Sequence, residues 1–115
     1  MKMNNVGLPE DVLNEIVKVL SRFPEIKSAK IFGSRAKNAH KRYSDVDVAI
    51  FAAPNQILAA NIKDALDDLD VIYNFDVVHY EMAANEEIKA HIDRVGIEIM
   101  LNDFTKQDSI EKNND

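Results

Sequence analysis

The sequence predicts an α+β domain in which short helices and short strands alternate along the chain. Three observations carry this reading. Apolar residues recur at helical spacing in three stretches, within 12–23, 58–69 and 88–95. Between and after them run short apolar segments of strand length, at 26–32, 45–51, 71–80 and 97–101. The chain has 115 residues, enough for one domain with a modest core and not for two.

Each element follows from local chemistry. Residues 1–7 read as a loose lead-in. Pro9 suits a first helical turn, and Glu10 and Asp11 suit its positive end. Val12, Leu13, Ile16, Val17, Leu20 and Phe23 then share one helical face, and Pro24 ends the helix. Residues 26–32 read as a strand, broken by Gly33 and Ser34. Residues 34–38 can begin a short helix whose N-terminus would attract an anion. A polar loop follows to Ser44. Residues 45–51 form a second strand, closed by Pro54. Asn55 is the expected cap of the next helix, with Leu58, Ile62, Ala65, Leu66 and Leu69 facing the core. A third strand is expected over 71–80. Asn85 caps a further helix, with Ile88, Ile92 and Val95 inward and Gly96 as its stop. A last strand spans 97–101. Residues 102–115 are polar and lack periodicity, so a flexible tail is expected there. The folded domain is placed at 8–101.

Composition narrows the classes. The chain is 46% apolar and 30% charged, ordinary for a globular protein. It has no cysteine, which removes disulfides, thiolate metal sites and thiol nucleophiles. No apolar run approaches the roughly 20 residues that span a bilayer, and residues 1–7 lack the apolar core of a signal peptide. A cytoplasmic protein with no membrane contact is the expectation. The net charge of −6 argues against broad nucleic-acid binding, which needs clustered Lys and Arg. Lys37, His40, Lys41 and Arg42 are a local exception inside the loop.

That loop borders the residues with most chemical content. Asp45 and Asp47 are two apart in a strand, so both carboxylates point the same way. They repel unless a divalent cation lies between them. Oxygen-only donors suit Mg²⁺, which usually completes its shell with substrate phosphates. The Gly33-Ser34 turn just upstream offers N–H groups and a hydroxyl to such phosphates. Asp76 is a third acid, set in the apolar run of Val71, Ile72, Phe75, Val77 and Val78, although strand interiors are depleted in Asp. A metal shared with Asp45 and Asp47 would partner it; an edge-strand charge facing water is the plain alternative. Asp-x-Asp or Gly-Ser alone is an ordinary turn feature. Their order in three successive strands is the informative part.

Other candidates carry less. His79 is three residues from Asp76 and faces the opposite side of the strand. His91 lies on the buried stripe of its helix and reads as a boundary histidine. His40 either approaches phosphates or is a solvated loop residue, and the solvated reading is favoured. Tyr80 shares the face of Asp76 and either borders the site or packs. Tyr43 either stacks on a base or plugs the loop. Arg35 either binds a phosphate or pairs with a carboxylate to hold the loop.

The string Gly33-Ser34-Arg35-Ala36, then Ser44-Asp45-Val46-Asp47-Val48-Ala49-Ile50, then a later strand Asp, resembles the DNA polymerase β-like nucleotidyltransferase superfamily. Within it the chain is most similar to the minimal nucleotidyltransferases (MNT), over about residues 8–101. The resemblance implies a mixed β-sheet with helices packed mainly on one face and the acids at one edge. It implies two Mg²⁺ ions, ATP as nucleoside triphosphate donor, and pyrophosphate release. It implies that Asp45 and Asp47 hold both metals, that Asp76 holds the metal at the attacking hydroxyl and helps deprotonate it, and that Gly33 and Ser34 grip the β- and γ-phosphates. Arg35 and Ser44 complete the expected nucleotide-binding set. One departure is visible. The family often has a glycine a few residues after the Gly-Ser turn, where this chain has Asn38, a residue that tolerates the left-handed conformation.

Length bears on the acceptor. Almost every residue outside the tails belongs to the nucleotide-binding core, so the acceptor surface is expected from another chain, from self-association or from a macromolecular acceptor. MNT proteins commonly pair with a helical HEPN protein, often as antitoxin to an RNase toxin. The resemblance therefore implies AMP transfer to a partner tyrosine. A small-molecule transferase acting on an aminoglycoside-like hydroxyl is the second reading. A non-catalytic antitoxin that binds only nucleotide or partner is the third.

Overall fold

The structure is a computed structural model that describes residues 6–33 and 45–99. In chain order these form α1 (Glu10–Leu20), β1 (Ser28–Phe32), β2 (Val46–Phe51), α2 (Leu58–Asp67), β3 (Phe75–His79), a 3₁₀ turn (Tyr80–Met82), α3 (Glu86–Val95) and β4 (Ile97–Ile99). The four strands make one mixed sheet in the order β3-β2-β1-β4. β2 and β3 run parallel; β1 is antiparallel to both β2 and β4. The expected mixed α+β architecture is the one observed.

Strand alternation divides the molecule into two layers. Val46, Val48 and Ile50 of β2 join Ala29, Ile31 and Phe75 in the main core, beneath Ile16 and Leu20 of α1 and Leu58, Ile62 and Leu66 of α2. Val6 and Leu8 are buried in this core too, so the lead-in joins the packed domain from Val6 on. The other sheet face carries Phe32 and Ala49, covered by Ile92 and Ile88 of α3 with Tyr80 and Val78. Among the described residues, α1 and α2 thus share one face and α3 covers the other.

Several boundaries differ from expectation, each for a local reason. α1 stops at Leu20 rather than at Pro24. Ser21 Oγ donates back to Val17 O at 2.7 Å, and Arg22 and Phe23 bond three residues back, so the last turn tightens and closes. α2 begins at Leu58. Asn55 does not cap it directly but accepts from Ile57 N at 3.1 Å, forming the turn that leads in. β3 starts at Phe75 and not at Val71. Its ladder opens with Val46 against Phe75, and Asn74 O takes the first bond from Val46 N, so residues 71–73 precede the pairing with β2. They bend back from α2, with Val71 and Tyr73 against the core and Ile72 exposed.

Asn85 caps α3 as expected, accepting from Glu87 N at 2.8 Å and Ile88 N at 3.4 Å. Gly96 ends α3 in an extended conformation, φ −62° and ψ 139°. Glycine is needed there for space, because a Cβ would crowd Ile92 O and the Lys30 side chain. The expected helix at 34–38, the loop to Ser44, the end of the last strand and the tail 102–115 lie outside the described residues.

Candidate active site

The β2-α2-β3 crossover builds the site. A parallel pair needs a long connection, and α2 supplies it across the main core. The crossover sets Asp47 directly beside Asp76 in the ladder. Neighbouring strands lie only about 4.8 Å apart, and both side chains are on the sheet face that α3 covers. Asp45 stands immediately ahead of β2. On its other side Asp47 pairs with Phe32, the last residue of β1. The three acids therefore gather where β2 and β3 begin and β1 ends.

Burial and this crowding of charge both act on Asp47. Its pKa is raised from 3.8 to about 6, first by burial, then by the Asp76 charge, then by that of Asp45. A half-buried acid flanked by two others is a place where a bound cation would offset the repulsion. The donor set is oxygen alone, which suits Mg²⁺. Among the described residues, no three His, Asp or Glu side chains are gathered closely enough to hold a metal ion unaided. A Mg²⁺ ion bound here would need further ligands, which substrate phosphates and water usually supply.

Gly33 contributes by what it lacks. It follows β1 with φ +76°, in the left-handed region that side chains resist. A Cβ at this position would overlap Asp47 Oδ2. The glycine therefore makes room for the Asp47 carboxylate as well as turning the chain. Ser34, Arg35 and Ser44, the other expected nucleotide-binding residues, lie outside the described residues, as do Lys37, Asn38, His40, Lys41, Arg42 and Tyr43.

Asp76 satisfies both of its sequence readings in part. β3 is an edge strand and Asp76 is exposed, as a water-facing charge would be. Yet its register places it level with Asp47, where the two carboxylates interact.

Three other candidates resolve plainly. His79 faces the main core, away from Asp76. Its Nε2 donates to Ala53 O at 3.1 Å, and its Nδ1 is 3.5 Å from Glu81 Oε1. His91 meets Phe32 edge-on at 6.1 Å between ring centres. Tyr80 packs. Its ring lies 4.6 Å from that of Phe51, and its hydroxyl donates to the Asp93 carboxylate at 2.9–3.0 Å, a bond that raises the phenol pKa.

Lys63 is the neighbour that sequence reasoning passed over. From α2 its Nζ reaches Asp67 Oδ2 at 2.9 Å and Phe75 O at 2.8 Å, one residue before Asp76. The i, i+4 spacing of Lys63 and Asp67 is visible in the sequence as a surface pair. The reach to β3 is not, since it depends on how α2 lies against the sheet.

With this geometry in hand, comparison with known proteins is informative. A family profile described as polymerase beta, nucleotidyltransferase matches residues 14–105. A proposed protein adenylyltransferase of Methanocaldococcus jannaschii is 30% identical over 69 residues, 58% of this chain and 70% of that one. A crystal structure of a toxin-antitoxin with AMP-PNP superposes with a TM-score of 0.63 at 26% identity, covering 75% of this chain and 70% of the other. A Shewanella oneidensis MNT antitoxin in complex with its tri-AMPylated HEPN toxin gives a TM-score of 0.60 at 20% identity, covering 85% and 76%; at that identity the likeness shows the fold.

Proposed function

Because the chain belongs to the polymerase beta nucleotidyltransferase family, we propose that it moves AMP from ATP to a hydroxyl of a partner protein, a helical HEPN-type RNase toxin that it thereby neutralises. The observation that carries this reading is the ladder pairing of Asp47 with Asp76, with Asp45 just upstream and the side-chain-free Gly33 against Asp47. The relatives support the choice of donor and acceptor. One is a proposed protein adenylyltransferase, one is a toxin-antitoxin with AMP-PNP, and one holds an AMPylated HEPN toxin.

In this reading Asp45 and Asp47 would hold both Mg²⁺ ions, and Asp76 would join them in holding one of the two. Those ions, when bound, offset the charge on the triphosphate and on the attacking and leaving oxygens. Gly33 and Ser34 present N–H groups and a hydroxyl to the β- and γ-phosphates, with Arg35 and Ser44 completing the cradle. Asp76 takes up the proton of the acceptor hydroxyl. The acceptor oxygen then bonds to the α-phosphorus, the bond from that phosphorus to the β-bridging oxygen breaks, and pyrophosphate leaves with its electron pair. Catalysis is positioning and electrostatics, and no residue of the chain becomes covalently modified.

The direct test uses Asp47→Asn and Asp45→Asn, each keeping shape and removing a metal-binding charge. With labelled ATP, Mg²⁺ and the partner, transfer should collapse in both while far-UV circular dichroism stays native. Transfer near the wild-type rate by either variant would remove that residue from the mechanism.

A further inference from the structure

We propose that Lys63 is a positioning residue for the transferase site, clamping the open edge of β3 so that Asp76 stays level with Asp47. The inference rests on the transferase reading above, and it adds a residue from outside the nucleotide-binding motif.

The clamp follows from strand geometry. Along a β-strand, the backbone groups of successive residues point to opposite sides. Asn74 O accepts from Val46 N in β2, at 2.9 Å. The next carbonyl, that of Phe75, therefore faces away from β2. β3 is the edge of the sheet among the described residues, so none of their strands lies on that side. Lys63 Nζ donates to this carbonyl at 2.8 Å. Asp67, one helical turn along α2, holds the same ammonium at 2.9 Å. The chain path Lys63–Phe75 O thus fastens the residue before Asp76 to α2, from the side opposite β2.

The contact has an electrostatic side. The ammonium pKa is raised, first by the hydrogen bond to Asp67 and further by the charges of Asp67, Asp76 and Asp64. Lys63 is thus a cation close enough to Asp76 to feel its charge, on the far side from Asp47. Its bond to Phe75 O fixes the strand from that side. A surface i, i+4 ion pair alone would contribute little. The bond to an unpaired edge carbonyl beside a site acid is what sets Lys63 apart.

The consequence falls on the cation that Asp76 would help to hold. In the proposed reading Asp45 and Asp47 would hold the other metal without Asp76, so loss of the clamp should spare it. The experiment compares wild type, Lys63→Met, Lys63→Arg and Asp67→Asn in two measurements that need no turnover. The first is hydrogen exchange at the Asp76 amide in metal-free protein. Loss of one such bond should speed exchange by about fivefold in Lys63→Met. The second is Mn²⁺ titration followed by electron paramagnetic resonance, with AMP-PNP present. The weaker Mn²⁺ should lose about fivefold in affinity while the tighter one is unchanged. Lys63→Arg keeps a donor and a charge and should restore both readouts; Asp67→Asn should fall between. In AMP transfer, kcat should drop with KM for ATP unchanged.

Unchanged exchange and unchanged Mn²⁺ affinity in Lys63→Met would overturn the inference. Faster exchange with full Mn²⁺ affinity would also overturn it, since the lysine would then only fasten a strand. Wild-type protein that binds Mn²⁺ and AMP-PNP yet transfers no AMP would refute the transfer reading, and the Lys63 inference would stand or fall on these two measurements alone.

Discussion

Asp47 is half-buried beside two other carboxylates, and its pKa is raised from 3.8 to about 6. This cost is present when no cation binds. Between about pH 4 and 6 the folded protein keeps a proton that the unfolded chain has lost. The contribution of Asp47 to stability therefore falls as pH rises through that window and is flat above it. An unscreened shift of this size would be about 3 kcal/mol; partial exposure reduces it to about 1–2 kcal/mol. Asp47→Asn removes the titration. Metal-free Asp47→Asn should be more stable than wild type at pH 7.5 by about 1–2 kcal/mol in urea denaturation, and no more stable at pH 4. An equal loss of stability with pH in both proteins would contradict this. Gly33→Ala should be destabilising by about 1–2 kcal/mol from its φ of +76° alone, with the overlap at Asp47 added. In an Asp47→Ala background that added part should vanish, as a double-mutant cycle would show. The acids themselves were readable in the sequence, because strand alternation is local. The seating of Asp47 over Gly33 and the reach of Lys63 were not, because both join residues that only the folded sheet brings together.

Helices and strands show the same division between local and non-local information. The apolar stripes of α1 and α2 and the cap of α3 are local patterns, and they appear where expected. Asn85 makes the cap bonds its position suggests, and Asn85→Ala should cost about 1 kcal/mol in thermal or urea unfolding. A loss below about 0.3 kcal/mol would mean that tertiary contacts hold the end of α3 instead. β3 was expected four residues too early, because an apolar run does not reveal where its neighbour starts. Val46 sets that point, through its pairing with Phe75. The 3₁₀ turn after β3 was not legible either. It is tied down by distant bonds, Ala52 N to Glu81 Oε1 at 3.1 Å and Tyr80 Oη to Asp93. The parallel β2–β3 pairing is the element-scale fact that matters most. Any register slip of one residue would turn Asp76 to the other face of the sheet, away from Asp47.

The whole chain sets the charge that a nucleotide would meet at the proposed site. Its net charge of −6 and its own acid cluster disfavour binding of a bare triphosphate without a metal. Mg²⁺ should accordingly bind weakly alone and much better with ATP present, in calorimetry at pH 7.5. The gain should shrink at pH 5, where a proton competes for Asp47. Equal Mg²⁺ affinity with and without ATP would sink the shared site. The central claim is transfer of AMP to a partner protein, and the intact mass of that partner tests it most directly. The chain, a HEPN-type partner protein, ATP and Mg²⁺ should together yield a complex and a partner heavier by one or more AMP units, with no gain when Asp47→Asn replaces the wild type. A partner whose mass is unchanged, in a mixture where complex, metal and nucleotide all bind, would contradict the account and leave a protein that acts by covering its partner.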